Sequence, residues 1–303
     1  MRCVLSVCAY LITSQAIAAD LPSLLDGRGV WLEHSQDLDS GVISRMRQAG
    51  IKRVHVMGTT SPKLVNTCSE AKLPRLLGTA DKIASTVIAL KAAGFTTVLT
   101  LYLPPTKAAV DSLTAGVIPK AVAAGVDGIE FDLEGGWSKH PACGYPDHKS
   151  VFADLRARTK GLKSELPVGI TTHSGRANDP RVPKENADWL SLQLYSTCKP
   201  TQCAPFTHPT AGPGGKQHQA VPLLLGYTKP VIIGLAAYSQ KWDRHTVDEA
   251  MRLALNVSLS LMKNEPSRFV GYSYWSNDSG LKPGSEAFKF LVDTTTQNVV
   301  NAQ

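Results

Sequence analysis

Three acidic residues alternate with apolar residues along one short stretch of the chain. Glu130, Asp132 and Glu134 occupy every second position, and each position between them holds an apolar side chain. Because successive side chains of a β-strand point to opposite faces, this spacing predicts a strand with three carboxylates on one face. Crowded like charges raise the pKa of a carboxyl group, and a carboxyl that stays protonated can act as a general acid. Glu134 comes last in the strand and is the candidate for that role.

Such a strand must pack its apolar face against other elements while its acidic face lines a polar interior. The chain offers eight strand patterns, nearly all of them separated by helical patterns. The predicted strands are 29–33, 51–57, 95–103, 125–134, 167–172, 188–195, 231–237 and 269–275. The predicted helices are 39–49, 80–93, 108–124 with Pro119 as a break, 147–164, 216–225, 247–263 and 285–293.

This alternation of strands and helices is typical of an α/β protein with a parallel sheet, and it predicts a single (β/α)8 TIM barrel. A barrel with helices outside and a polar mouth inside accommodates the acidic strand. A doubly wound open sheet is the alternative. No glycine-rich phosphate-binding fingerprint follows the first strand, so a nucleotide site is not expected.

The carboxyl ends of the strands form the mouth of a TIM barrel, where its active sites lie. The polar and aromatic residues predicted at these ends are Glu33, His34, His55, Tyr102, Glu130, Asp132, Glu134, His173, Gln193, Tyr195, Tyr238, Tyr274 and Trp275. Carboxylates beside aromatic rings are typical of carbohydrate-processing sites, because sugar rings stack on such platforms. The candidate substrate-binding residues are Trp275, Gln193, Tyr102, Glu33 and Tyr238. A structural role is the alternative for Glu33, for the lone histidines and for Tyr238 and Tyr274.

The net charge of the chain points to a class of partner. The 303 residues carry a formal charge of +7 that is spread along the sequence without a Lys/Arg run. This charge favours weak attraction to anionic surfaces such as cell walls. The sequence shows no basic helix with interleaved aromatic residues, which would be typical of a nucleic-acid site. We expect a monomer with no nucleic-acid partner and no cofactor.

Residues 1–19 have the pattern of a secretory signal peptide. Arg2 precedes an apolar core over 4–12, and Ala16-Ile-Ala18 followed by Ala19 provides an A-x-A cleavage site. No later apolar run is long enough to span a membrane. We therefore predict an exported protein, secreted or periplasmic, with one catalytic domain over 20–303.

Four cysteines remain after the predicted cleavage, an even number that suits an oxidising compartment. Their spacing does not match a zinc site. The simplest expectation is two disulfides, Cys198–Cys203 within one loop and Cys68–Cys143 between two loops. Four cysteines allow three connectivities, and the other two remain open.

The acidic strand also resembles a known family. The stretch Asp127-Gly-Ile-Glu-Phe-Asp-Leu-Glu134 resembles the D-G-x-D-x-D-x-E signature of glycoside hydrolase family 18, the chitinase family, with Glu130 where Asp is usual. Three further stretches are similar to later strands of that family: Leu192-Gln-Leu-Tyr195, Ile233-Gly-Leu-Ala-Ala237 and Gly271-Tyr-Ser-Tyr-Trp-Ser276. The third strand departs from it, with Leu99-Thr-Leu-Tyr-Leu-Pro104 in place of S-x-G-G.

The resemblance implies hydrolysis in which the 2-acetamido group of the sugar is the nucleophile. Glu134 would be the general acid/base, Asp132 would orient the acetamido N–H, and Tyr195 would bind its oxygen. Glu130 would share a proton with Asp132, and Trp275 would form the floor of the subsite. The strand geometry agrees, because Asp132 lies beside Glu134 and is poorly placed to attack from the opposite face of the sugar as a retaining nucleophile must.

The implied substrate is a polysaccharide that contains N-acetylglucosamine: chitin, peptidoglycan glycan or an N-glycan core. Two other functions remain open. One is a chitinase-like carbohydrate-binding protein without catalysis, in which the acid is usually replaced, whereas Glu134 is present here. The other is a two-carboxylate retaining glycosidase with Glu33 or another strand-end acid as the nucleophile.

Overall fold

The computed structural model of the chain describes residues 21, 23–32, 38–60, 67–70, 73–133, 137–173, 179–193, 227–237, 247–276 and 281–300. Eight parallel strands close into a barrel in the order β1-β10-β9-β8-β7-β6-β5-β2. The predicted TIM barrel is therefore confirmed, and all eight predicted strands belong to it.

The barrel strands are β1 Gly27–Leu32, β2 Arg53–Met57, β5 Thr96–Tyr102, β6 Gly128–Asp132, β7 Val168–His173, β8 Leu190–Gln193, β9 Val231–Ala236 and β10 Phe269–Ser276. The α-helices are α1 Ser40–Gln48, α2 Ala80–Ala92, α3 Lys107–Ala115, α4 Val117–Ala123, α5 His148–Leu162, α6 Val247–Asn264 and α7 Glu286–Val300. A short antiparallel pair that the sequence did not predict follows β2: β3 Thr59–Thr60 and β4 Arg75–Leu76.

Side-chain caps set the starts of several helices. Asp39 accepts a hydrogen bond from the Val42 N–H at the start of α1, and Thr79 and Asp147 cap α2 and α5 in the same way. These contacts satisfy backbone donors that have no partner within the helix. Gly94 follows α2 with a φ of 87°, a left-handed conformation that ends a helix without strain in glycine.

The helical pattern over 108–124 contains a break, but not at Pro119 as predicted. The chain divides at Gly116, and Pro119 is the third residue of the second helix, α4. A proline is tolerated there because N–H groups of the first turn have no partner within the helix. The last helix also extends past the predicted end to Val300. The predicted helix over 216–225 lies outside the described residues.

The two faces of the strands differ in chemistry. Outward-facing apolar side chains such as Val30, Val54 and Phe131 pack against the helices and form the main core. The inner face carries buried polar groups in its middle and upper layers: Arg53, His55, Thr100, Glu130, Asp132, Thr171, Ser191, Gln193 and Ser273. The prediction of a polar interior is confirmed, and it places the acids of β6 inside the barrel.

A small apolar cluster closes the amino-terminal end of the barrel. Leu21, Leu24 and Leu25 pack with Val98, Trp189 and Ile232. Gly271 makes room for this plug, because a Cβ atom there would lie 2.1 Å from the Leu25 carbonyl oxygen. In the part of the chain that the structure describes, no helix has both the length and the apolar character needed to cross a membrane.

Candidate active site

The two described acids of the predicted triad lie inside the barrel at different depths. Asp132 is the last residue of β6 and is paired in register with Tyr102 of β5 and Thr171 of β7. Glu130 lies one layer deeper and is fully buried. Glu134 follows two residues after the end of β6 and lies outside the described residues. β6 runs toward the carboxyl ends of the barrel strands, so Asp132 lies nearer the mouth than Glu130.

Several predicted site residues fall outside the described parts of the chain. They are Glu134, Tyr195, Glu33, Tyr238, Cys198 and Cys203. Their assigned roles stay predictions.

Glu130 accepts hydrogen bonds on both carboxylate oxygens. Its Oε2 atom accepts from Trp31 Nε1 at 2.9 Å and from Thr100 Oγ1 at 3.0 Å. Its Oε1 atom accepts from Trp189 Nε1 at 3.2 Å and from the Ser191 hydroxyl. The donors come from strands on both sides of the barrel, so the carboxylate lies near the barrel axis.

His55 connects this carboxylate to a buried guanidinium. Arg53 Nε donates to His55 Nε2 at 3.0 Å, and His55 Nδ1 lies 3.2 Å from Glu130 Oε2. Because Nε2 accepts, the ring hydrogen must be on Nδ1, which faces Glu130. We assign this tautomer from the hydrogen-bond network.

The charges of this buried column follow from burial and its neighbours. Burial lowers the pKa of His55 more than Glu130 raises it, so the imidazole stays neutral. Burial lowers the pKa of Arg53 to about 10, and the guanidinium stays charged at neutral pH. Burial alone would raise the pKa of Glu130. The adjacent His55 and the hydrogen bonds from His55, Ser191 and Trp31 have the opposite effect and outweigh burial, so the pKa of Glu130 lies well below its usual range. The column therefore consists of an anion and a cation separated by a neutral histidine.

Two tryptophans lie side by side at the carboxyl ends of β1 and β10. Trp31 and Trp275 are paired in register, with ring centroids 6.4 Å apart. Trp31 is buried, whereas Trp275 is partly exposed. Part of the Trp275 ring is therefore accessible at the carboxyl end of the barrel, and the buried Trp31 contacts it. Tyr274, which precedes Trp275, lies on the outer face in edge-to-face contact with Tyr272, not at the mouth.

Gln193 ends β8 at the same end of the barrel. Its Nε2 atom donates to Thr171 Oγ1 at 3.1 Å, and the side chain is almost fully buried. Its Oε1 atom is buried without a hydrogen-bond partner among the described residues. Since a buried acceptor without a partner is costly, this oxygen is suited to accept a hydrogen bond from a bound ligand.

The loop after the acidic strand is fixed by contacts that the sequence did not predict. Trp137 is buried and donates through Nε1 to the Arg181 carbonyl oxygen at 2.8 Å. Arg181 in turn donates to the Ser138 carbonyl oxygen at 2.6 Å and forms an ion pair with Asp179. These contacts fix the chain at Trp137, which is three residues after Glu134 in the sequence. Only the bulk of Trp137 next to Gly135-Gly136 marks this anchor in the sequence.

A disulfide fastens the same loop to another part of the mouth. Cys68 and Cys143 are bonded, with Cα atoms 5.5 Å apart, so this pair of the simplest predicted connectivity is present. The Cys143 backbone also bonds to Pro105 and Lys107. The bond thus joins the segment after β3 to the loop after β6.

Removal of this disulfide with Cys68→Ser and Cys143→Ser together is expected to lower the free energy of unfolding by about 2–4 kcal/mol. The reason is that the bond restricts the unfolded chain over a sequence separation of 75 residues. Urea unfolding followed by circular dichroism measures the change. Reduction of the wild-type protein should lower the free energy of unfolding by at least as much, because it breaks this bond together with the predicted Cys198–Cys203 bond. Equal stability of oxidised and reduced protein would contradict the expectation.

The donor set of the described site does not resemble a metal centre. Within the described ranges, no three His, Cys, Asp or Glu side chains are grouped as metal ligands.

Comparison with known proteins shows a similarity in fold. No protein-family model matches the sequence, and no curated protein matches it. Among solved structures, the catalytic domain of a hyperthermophilic chitinase from Pyrococcus furiosus has a TM-score of 0.58 at 12% identity, over 90% of this chain and 95% of the other. A GH113 β-1,4-mannanase has a TM-score of 0.57 at 11% identity, over 89% and 98%.

A protein named as an inhibitor shares the same architecture. The xylanase-α-amylase inhibitor protein XAIP-I, solved with trehalose, has a TM-score of 0.56 at 14% identity, over 89% of this chain and 98% of the other. Identities this low establish a shared fold and no more. The chain folds as a TIM barrel like those of glycoside hydrolases and of this inhibitor.

Proposed function

We propose that this protein is a glycoside hydrolase of the chitinase-like family 18 type, which cleaves β-1,4 bonds next to N-acetylglucosamine. The observation that supports this most is the inward acidic face of β6, which carries Asp132 to the barrel mouth and directs the chain on to Glu134. TIM-barrel active sites lie at this end of the strands. The chitinase and mannanase among the structural neighbours have the same architecture.

In the proposed mechanism the acetamido oxygen of the sugar attacks the anomeric carbon and the configuration is retained. Glu134 protonates the leaving oxygen and then activates water. Asp132 orients the acetamido N–H, and Tyr195 binds the acetamido oxygen. Trp275 stacks on the sugar, and the Oε1 atom of Gln193 accepts a hydrogen bond from it. This route uses the side chains of the chain and the substrate, without a metal or cofactor.

We also infer that the protein is exported by its predicted signal peptide and acts as a monomer outside the cytoplasm. A glycan substrate such as chitin or peptidoglycan lies in that compartment. The Cys68–Cys143 bond supports this location, because disulfides persist in oxidising compartments.

A carbohydrate-binding protein without catalysis is the second candidate. It is favoured by the likeness to the xylanase-α-amylase inhibitor protein solved with trehalose. The presence of Glu134 favours the enzyme.

The proposed function is tested by turnover of N-acetylglucosamine oligomers, peptidoglycan and a mannan oligomer that lacks the acetamido group. We expect hydrolysis only of acetamido sugars. Asp132→Asn is expected to lower kcat about 100-fold, because a misplaced acetamido group loses its near-attack geometry. Asp81→Asn on the outer surface is the matched control and should leave kcat unchanged. Turnover of the mannan oligomer would exclude the assisted route, and binding without turnover of any sugar would favour the second candidate.

A further inference from the structure

We propose that Glu130 is a positioning residue, a permanently ionised carboxylate that holds the indole of Trp31 and through it the platform Trp275, and does not share a proton with Asp132. The effect of Glu130 on catalysis rests on the proposed function. The placement and charge of Glu130 do not rest on it, because they depend only on contacts inside the barrel.

The hydrogen bonds around Glu130 favour an ionised carboxylate over one that shares a proton. Trp31 and Thr100 donate to Oε2, while Trp189 and Ser191 donate to Oε1. An ionised carboxylate offers about four lone-pair sites, and these four donors match that number. The two indole N–H groups can only donate, so an added proton would require a hydroxyl to reverse or an indole to turn away. The carboxylate is therefore built into the site as an acceptor.

The charge around Glu130 favours the same state. The groups around it are Trp31 from β1, Arg53 and His55 from β2, Thr100 from β5, Trp189 just before β8, Ser191 from β8, and Ser273 from β10 behind His55, with Asp132 two residues further along its own strand. Of these, Arg53 is the permanent cation, and it reaches Glu130 through the neutral ring of His55. A buried anion is stabilised by hydrogen bonds and by a nearby cation, and Glu130 has direct hydrogen bonds and a guanidinium on the far side of one imidazole.

The length of Glu130 explains how one residue reaches both sides of the barrel. β6 pairs with β5 and β7, whereas Trp31 belongs to β1 and Trp189 precedes β8. Trp189 approaches across Gly169, where a Cβ atom would lie 2.0 Å from the indole. An aspartate would be one methylene shorter and would withdraw from the Trp31 indole.

Trp31 transmits this constraint to the mouth. Its ring centroid lies 4.6 Å from that of His55 and 6.4 Å from that of Trp275. The hydrogen bond to Glu130 fixes the orientation of the indole that contacts both rings. If that bond is lost, the ring that supports Trp275 is free to tilt, and the sugar platform tilts with it.

The first test uses the indole N–H groups of the wild-type protein as reporters. The chain has five tryptophans, and Trp31→Phe and Trp189→Phe assign the two relevant NMR signals. If Glu130 stays ionised, both signals should keep their chemical shifts between about pH 5 and pH 8. A joint titration of both signals with a midpoint in that range would overturn the proposal, because Glu130 would then carry an exchangeable proton. This readout needs no turnover and no variant of Glu130.

The second test compares Glu130→Gln with Glu130→Asp in hydrolysis of N-acetylglucosamine oligomers. We expect both to raise KM about tenfold and to lower kcat less, since both weaken the Trp31 contact and so a binding surface. The shared-proton role predicts the opposite: Glu130→Asp keeps wild-type kinetics, while Glu130→Gln loses kcat and its pH dependence moves. That result would overturn the proposal. If the wild-type protein cleaves no oligomer, the proposed function fails, and the NMR titration still decides the role of Glu130.

Discussion

Replacement of Glu134 by Gln is expected to lower kcat on N-acetylglucosamine oligomers about 1,000-fold, within the range for loss of a general acid. The amide keeps the size of the side chain but cannot transfer a proton to the leaving oxygen. β6 carries Asp132 at its carboxyl end, and the sequence continues to Glu134 two residues later with the same alternation. Initial rates at saturating substrate measure the loss. Binding of the oligomer should persist, since the proposed platform and acceptors are unchanged.

The surface substitution Glu165→Gln is the matched control for this experiment. Glu165 is exposed and far from the barrel mouth, in the turn before β7. The same chemical change there should leave kcat and KM at wild-type values. If Glu134→Gln retained full activity with unchanged KM, the general acid would be another residue and the proposed mechanism would be wrong.

The second large effect concerns stability. Arg53→Met is expected to lower the free energy of unfolding by about 3–5 kcal/mol, because it removes the buried cation that offsets Glu130 across His55 and leaves several buried acceptors without their donor. Arg53 is fully buried and donates to His55 Nε2, to Ser273 Oγ at 3.0 Å and to the Leu25 and Tyr272 carbonyl oxygens. Without it, Glu130 is a buried anion with no cation, and the Leu25 carbonyl of the bottom plug loses a donor. Urea unfolding at neutral pH measures the change.

The neighbouring Lys52→Met is the control. Lys52 pairs with Asp26 at 3.6 Å, and about two thirds of each side chain is exposed. The loss of such a surface pair should cost under about 1 kcal/mol. If Arg53→Met were as stable as Lys52→Met, the buried column would contribute nothing to stability, and Glu130 would have to become protonated when Arg53 is absent.

Much of the barrel was predictable from the sequence, because strand patterns are local. The alternation around Ile129 and Phe131 requires one face of β6 to pack against helices and the other to line an interior. The two-residue period places Glu130 and Asp132 on that interior face whatever their partners are, and it predicts the same face for Glu134. The caps Asp39, Thr79 and Asp147 are also local signals, because each bonds a backbone group three residues later.

The partners of those acids were decided by the tertiary structure alone. Barrel closure brings Trp31, His55 and Ser191 onto Glu130 from positions up to 99 residues away in the chain. No spacing in the sequence records such contacts, because they depend on the order of the strands and on the stagger between them. The alternating Arg53-Val-His-Val56 pattern indicates an inward polar face on β2. It does not predict that the guanidinium and a neutral imidazole lie next to the acids of β6. The sequence therefore determined which side chains enter the barrel, and the fold decided which of them carry charge and which of them meet.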